Sequence, residues 1–293
     1  MKGHSPGLHL RGGAGGASVF RGDLRAWSSG LAKDPVVASL VSGQKPQLGH
    51  LAENIIFSDT PSNIINYVWL EGQLQMEYIG SLDNPLRLIY FSCRGTCDVI
   101  RLLLVDQEIP YEEHNISGKD FLQPEFQQVL LESGNFPMLP YLSDSNNEVE
   151  LTGSFTILRY LADKCKLMGS CQEERSRVEN WLEFLQSMLH SLWDFENTSD
   201  SYTGVQRTKK RSQFLLETLH PMLKCIDDKL EQGVWALDSY SVIDIVLYST
   251  ISVVIRSWGS DLLKPYIRII SHKNNMEKLR KQIDSFKDDP RRF

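Results

Sequence analysis

The chain lacks the patterns that announce a metal or a redox dithiol. Its five cysteines, Cys93, Cys97, Cys165, Cys171 and Cys225, contain no CxxC pair. An odd, scattered set of thiols favours a reducing compartment over a disulfide framework. The seven histidines show no HxxxH or other zinc spacing, so no metal site is expected. No apolar run reaches the roughly 18 residues of a membrane span. The most apolar stretch, Val242 to Trp258, is interrupted by Asp244 and by serine and threonine, and a buried amphipathic helix accounts for it. Positive charge is not in excess either: the net charge is −6, which leaves no basic footprint for nucleic acid. Gly12-Gly13-Ala14-Gly15-Gly16 lacks the Gly-Lys-Ser/Thr ending of a phosphate loop and reads as a flexible linker.

What remains is a chain of 293 residues, 41% hydrophobic and 23% charged, with ample material for a core. Residues 1–84 differ from the rest. Met1 to Lys33 is rich in Gly, Ser and Ala, carries Lys2, Arg11, Arg21, Arg25 and Lys33, and has only Asp23 as an acid. That composition suits a mitochondrial transit peptide, and equally an extension with no address or upstream sequence that is not always translated. Met76 could itself begin a complete domain. The apolar clusters Ile55-Ile56-Phe57 and Ile64-Ile65, Tyr67-Val68-Trp69 suggest a short helix or a packing arm.

From Pro85 the pattern changes to alternating elements. Leu86, Leu88 and Tyr90 alternate with Arg87, Ile89 and Phe91 at the period of a strand. Gly95 supplies a turn, and a helix is expected over about 96–107. Further strands are expected near Tyr111–Asn115, Pro137–Leu142 and Glu148–Thr152, with a helical stretch from Asp120 to Glu132 and a helix from Ser154 to about Lys164. This is a small mixed sheet with helices on its faces. After Lys166 the strand signal ceases. Val178, Trp181, Leu182, Leu185, Leu189 and Leu192 recur at helical spacing, as do Phe214, Leu215, Leu219, Leu223, Ile226 and Leu230, the pattern of a bundle core. Ser241-Val-Ile-Asp244 reads as a capping box opening another helix. The expected domains are thus a non-homologous extension (1–84), an α/β domain (85–165) and an all-helical domain (172–290).

Tyr90 carries the chemical signal. A phenol delivered by a strand to a glycine turn and a helix N-terminus can hydrogen-bond an anion, which is what holds a thiol in its nucleophilic thiolate form. This segment, Tyr90-Phe91 with Arg94-Gly95 and Arg101, resembles the first strand and helix of the cytosolic glutathione transferases, nearest the tyrosine-using sigma and pi types. Asn135-Phe136-Pro137 after Gly134 is similar to that family's Gly-Gln-Val-Pro turn. Gly153-Ser154 resembles its Gln-Ser helix start, and the Ser241–Asp244 cap matches a further signature. The resemblance covers about 85–290 and implies a thioredoxin-like glutathione-binding domain followed by a helical domain.

It also implies roles. Tyr90 is the catalytic residue. Phe136 pairs its backbone with the glutathione cysteine, Pro137 is the cis-proline, Ser154 receives the γ-glutamyl carboxylate, and Asn135 and Gln127 make auxiliary contacts. Phe91 borders the electrophile. Leu139-Pro140 offers a rival register for the cis-proline, though the spacing from Gly134 favours Pro137. Thr96 stands where a second arginine is usual, Gly153 replaces a glutamine, and the tryptophan and lysine expected near Phe121–Leu122 and Gln127–Gln128 have no clear counterparts. These departures thin the pocket. The implied function is conjugation of the glutathione thiolate to hydrophobic electrophiles in detoxification, with glutathione as co-substrate, in a cytoplasmic homodimer. A non-catalytic binding or scaffold protein of the same fold is the alternative, as is a glutathione-dependent isomerase or a thiol transferase using Cys93, whose pKa a helix N-terminus and Arg94 are expected to lower.

Overall fold

Three consecutive leucines, Leu102, Leu103 and Leu104, are fully buried on one helix, and the fold is arranged around that helix. In the computed structural model the described residues are 56–57, 64–70, 73–79, 84–199, 203–230 and 233–287. The proposed transit segment, Met1 to Lys33, lies outside them.

The first described elements are three strands, β1 (Ile56–Phe57), β2 (Ile64–Leu70) and β3 (Gln73–Ile79). They form an antiparallel sheet in the order β1-β2-β3, with Met76 opposite Tyr67. The expectation of a short helix here is therefore corrected. Tyr67-Val68-Trp69 is β-branched and aromatic, a composition that favours a pleated ribbon.

The second sheet contains β4 (Leu86–Phe91), β5 (Tyr111–Ile116), β6 (Tyr141–Asp144) and β7 (Val149–Thr152), in the order β5-β4-β6-β7. β4 runs parallel to β5 and antiparallel to β6, which pairs antiparallel with β7. The alternation predicted for β4 holds, since Leu86, Leu88 and Tyr90 are buried while Arg87 is exposed. A 3-10 turn (Gly95–Cys97) leads into α1 (Asp98–Asp106), the crossover that the parallel β4–β5 pair requires. Two short helices follow β5, α2 (Gly118–Phe121) and α3 (Pro124–Glu132). Ser117 caps α2 in a reciprocal box with Asp120. The strand expected from Pro137 begins only at Tyr141, because residues 137–140 hold two prolines that cannot donate to a ladder. α4 (Ser154–Lys164) completes this half, the thioredoxin-like arrangement that the sequence led us to expect.

The remaining described elements are helical: α5 (Gln172–Ser199), α6 (Gly204–Phe214), a π turn (Leu215–Leu219) running into α7 (His220–Lys229), α8 (Val242–Trp258), α9 (Ile267–Leu279) and α10 (Lys281–Lys287). The π turn stands immediately before Pro221, whose ring cannot accept an unbroken α ladder. The predicted stripes are largely core: Val178, Trp181, Leu182, Leu185, Leu189 and Leu192 on α5, Leu219 at the end of the π turn and Leu223, Ile226 and Leu230 beyond it are buried, while Phe214 and Leu215 are only partly buried against them. α8 is not amphipathic as expected. Ten consecutive residues, Val242 to Ile251, are buried, so it is the central helix of the bundle. No helix among the described residues is long and apolar enough to cross a membrane.

Asp244 is the polar knot of α8. Its carboxylate closes the Ser241 capping box and also accepts from Ala236 N–H at 2.7 Å and from His272 Nε2 at 2.8 Å. A fully buried carboxylate is tolerated because each oxygen is occupied. Sheet half and helical half share one hydrophobic cluster, and the C-terminal helices return to α1: Arg280 Nε meets Asp106 at 2.5 Å and Tyr240 Oη donates to the same carboxylate at 2.7 Å.

Candidate active site

The strand period sends Tyr90 to the buried side of the sheet at the point where β4 ends, leaving it 8% exposed. The chain then turns tightly, with Cys93 N–H donating to Phe91 C=O at 2.7 Å, and Gly95 takes a left-handed φ of +63°. Glycine is required there twice over. Its φ is costly for other residues, and a Cβ would lie 3.1 Å from two Tyr90 ring carbons and closer still to the hydroxyl oxygen. The phenol therefore rests directly on the Gly95 backbone at the mouth of α1.

Arg101, one turn into α1, fixes this turn from beneath. It is 7% exposed, donates to the carbonyls of Cys93 and Arg94 at 2.9 and 3.1 Å, pairs with Asp98 at 3.0 Å and with Glu113 of β5, and lies 5.5 Å from the Tyr90 ring centroid. Burial makes an unpaired guanidinium prohibitive, and the two carboxylates hold its charge firmly in place.

Burial pushes the Tyr90 hydroxyl above the ordinary phenol range, and hydrogen bonds from the Thr96 side chain and backbone pull part of the way back. The group is therefore a protonated donor at neutral pH. Ser154 opens α4 with its Oγ 2.7 Å from Thr96 Oγ1, which joins the start of α4 to the turn before α1 although 58 residues separate the two. The first α4 N–H with a backbone partner is Ile157, donating to Gly153 at 3.0 Å, which leaves the N–H groups of Ser154, Phe155 and Thr156 aimed out of the helix end. In the sequence Thr96 marks the loss of an arginine contact. The geometry shows what the sequence hid, because no local pattern could bring it against Ser154.

Other expected site residues lie elsewhere or are engaged. The cis peptide bond is Leu139–Pro140, so the assignment of Pro137 as the cis-proline is corrected to the rival register. Phe136 is 77% exposed. The residue before the cis-proline is Leu139, two positions ahead of β6, and among the described residues neither its N–H nor its C=O has a backbone partner. Asn135 Nδ2 donates to Ser133 at 3.0 Å and to the Glu150 carbonyl at 3.2 Å, and Gln127 Nε2 to the Phe121 carbonyl at 3.3 Å. Phe91 continues from Tyr90 into a row of rings, its centroid 5.7 Å from Phe121, which is 6.2 Å from Phe126. Gly153 has a φ of +91° and a virtual Cβ only 3.6 Å from the Met138 sulfur.

Cys93 is exposed, but burial of its thiol and the nearby Asp98 raise its pKa, and Arg101 offsets them only in part. The expected lowering by Arg94 and the helix terminus is not found. Cys97, by contrast, is fully buried at the end of the 3-10 turn, where it caps α1, and acts as core.

No family model matches the chain. Among curated proteins it is similar to glutathione S-transferase Mu 7 of Rattus norvegicus, at 32% identity over 178 residues that cover 57% of this chain and 75% of that protein. It is also similar to the class-mu 26 kDa glutathione S-transferase of Schistosoma japonicum, at 30% identity over 207 residues, 67% of this chain and 85% of that protein. In fold it resembles a sigma class GST of Fasciola hepatica, with a TM-score of 0.58 at 19% identity, covering 69% of this chain and 94% of that one. The structure titled rat hPGDS complexed with a quinoline gives a TM-score of 0.56 at 23% identity, covering 69% and 95%. The relatives are mu-class by sequence and include a sigma-class protein by structure, and the aligned stretch accounts for most of each. The chain belongs to the glutathione S-transferase family.

Proposed function

We propose that this protein is a glutathione transferase that adds the glutathione thiolate to hydrophobic electrophiles, with the Tyr90 hydroxyl donating a hydrogen bond to the sulfur. One observation carries the reading: a buried phenol, held protonated on the Gly95 backbone, ends a strand where α1 begins. A neutral donor in a poorly solvated site favours the thiolate over the thiol, and the thiol proton leaves to solvent. The cysteinyl backbone of glutathione pairs with Leu139, as a short added strand would, rather than with Phe136. The γ-glutamyl carboxylate sits at the N-terminus of α4, where three N–H groups and the Ser154 hydroxyl converge. Gln127 and Asn135 reach the peptide only by giving up their present backbone partners. The electrophile lies beside Phe91.

A homodimer accompanies this reading. Support comes from the apolar side chains that α3 and the following turn leave exposed: Val129 63%, Leu131 51%, Phe136 77% and Met138 47%. The scaffold alternative draws on the engaged amides of Gln127 and Asn135, which leave fewer groups for glutathione. The thiol-transferase alternative is weakened by the raised Cys93 pKa.

The test uses the full chain with glutathione and an aryl halide, alongside Tyr90→Phe and Cys93→Ser. A rate above buffer that Tyr90→Phe lowers at least tenfold supports the transferase. Retention on immobilised glutathione with no turnover selects the binding protein, and a rate abolished only by Cys93→Ser selects the thiol transferase.

A further inference from the structure

We infer that the cavity between the α4–α5 connection and the segment 237–241 before α8 is a binding site for a free α-amino acid with an aliphatic side chain. The cavity measures about 160 Å³, the size of a hollow that holds one benzene ring. It is separate from the candidate active site and does not rest on the transferase reading. Ser154 begins α4 and Lys166 follows its end, so the 11-residue helix holds the two places apart by about 16 Å.

The chain itself fixes the walls. Val242 N–H donates to Leu167 C=O at 3.1 Å, which ties the connection to the first residue of α8. Gly169, at a φ of +92°, rests so closely on α5 that a Cβ would lie 2.8 Å from that of Glu174 and 2.9 Å from the Arg175 nitrogen. Several polar groups of the lining are already committed. Glu174 Oε2 accepts from the Ser170 N–H and from its Oγ, both at 2.7 Å. Ser241 N–H donates to Asp244 at 2.9 Å, and the Tyr240 hydroxyl donates to Asp106.

The groups left over match the three parts of an amino acid. For the carboxylate there are two cations. Among the described residues the Lys166 ammonium has no hydrogen-bond or ion-pair partner. Arg177 meets Asp238 only at 3.4 Å and Glu173 at 4.0 Å, long contacts that leave its planar fork able to take a carboxylate in two parallel bonds. For the ammonium there are acceptors: the second oxygen of Glu174, and Asp238, whose side chain is 76% exposed and held only by that long contact. For the aliphatic side chain the floor is buried Val178, with partly buried Leu237 beside it. Charges of both signs around one hollow suit a zwitterion. A plain anion would be left with two carboxylates beside it, and a plain cation with two cations. Lys166 also occupies the left-handed position that closes α4, φ +59°, where glycine is the usual residue, so a cation stands at this corner at a cost in backbone energy.

The experiment is equilibrium dialysis of radiolabelled leucine against the full chain, with saturating S-hexylglutathione present so that leucine does not report on the N-terminus of α4. Saturable binding of one leucine per chain is expected. Isocaproate and isoamylamine keep the side chain and lose one charge each, so each should compete about tenfold more weakly than leucine, the worth of one charge-assisted contact. Glycine keeps both charges and loses the side chain, and it should also compete more weakly. Arg177→Met and Glu174→Gln should each weaken leucine binding about tenfold, and glutamine at 174 still offers Ser170 an acceptor. Absence of saturable binding up to about 10 mM leucine overturns the inference. Isocaproate competing as well as leucine overturns it too, since an anion site only would remain. Arg177→Met with the parent affinity would place leucine elsewhere on the chain and has the same force. The competitor series needs no variant, so it decides even where a substitution does not fold. Should S-hexylglutathione fail to bind, the transferase reading fails, while the Arg177 variant still decides the cavity.

Discussion

Replacing Gly95 by alanine adds one methyl group in the place where the Tyr90 hydroxyl lies. Two costs follow, and Gly134 separates them. Both glycines have left-handed backbones, φ +63° and +80°, so alanine at either carries the conformational cost of about 1–2 kcal/mol. At Gly134 nothing lies within 4 Å of the new Cβ. At Gly95 the Cβ would meet two ring carbons at 3.1 Å, with the phenol oxygen nearer still. Restoring ordinary carbon contact needs a displacement on the order of 1 Å at the hydroxyl. Tyr90 cannot swing freely, because its ring is in the buried cluster and Arg101 lies beneath it. A misplacement of that size costs about a hundredfold in rate. Expected, then, is a Gly95→Ala variant about 1–3 kcal/mol less stable than Gly134→Ala and about a hundredfold slower in conjugation, against little change in rate for Gly134→Ala. Urea unfolding gives the first quantity and initial rates with an aryl halide the second. If Gly95→Ala matched Gly134→Ala in both, the Tyr90 hydroxyl would not lie on Gly95 in the working protein, and the reasoning would fail.

Two further outcomes follow from buried groups. Asp106→Ala leaves the Arg280 guanidinium and the Tyr240 hydroxyl without their shared carboxylate. Because Asp106 is fully buried and Arg280 partly exposed, the loss should fall near the lower end of the range for breaking a buried pair, about 3 kcal/mol in urea unfolding, and a loss below about 1 would show the pair to be inert. A disulfide reagent at neutral pH should reach exposed Cys93 and Cys171 before the other thiols, Cys93 more slowly than its exposure alone would allow because burial of the sulfur raises its pKa. Cys165, whose thiol is pushed up to about 12, and buried Cys97 should react only as the protein unfolds. Five thiols reacting at a single rate would contradict the burial.

The elements that carry their own periodicity were legible in the sequence. Leu86, Leu88 and Tyr90 marked a strand, the Val178–Leu192 stripe marked a helix, and Ser241 with Asp244 marked a cap, because each signal is local. What could not be read depends on distance in the chain. Ser154 meets Thr96 across 58 positions, so a residue counted as a missing arginine contact turned out to be a hydrogen-bond partner. The proline turn went to the wrong register because residues 134–140 offer two similar X-Pro steps, and pairing of β6 with both β4 and β7 selects between them. Phe136 is expected to pair its backbone with glutathione because it precedes Pro137, but the cis bond follows Leu139. The strands at 56–79 were missed because β-branched and aromatic clusters there do not alternate cleanly.

The Asp106 clamp has a consequence in time. Arg280 follows Asp106 by 174 residues. At a synthesis rate of about 5–20 residues per second, roughly ten to thirty seconds pass between the appearance of the carboxylate and that of its cation. Throughout that interval α1 can pack its leucines against the sheet, but it cannot bury its last residue without leaving a charge unmatched. The nascent sheet half therefore emerges with one wet corner, and the helices on either side of Arg280, made much later, are the ones that close it.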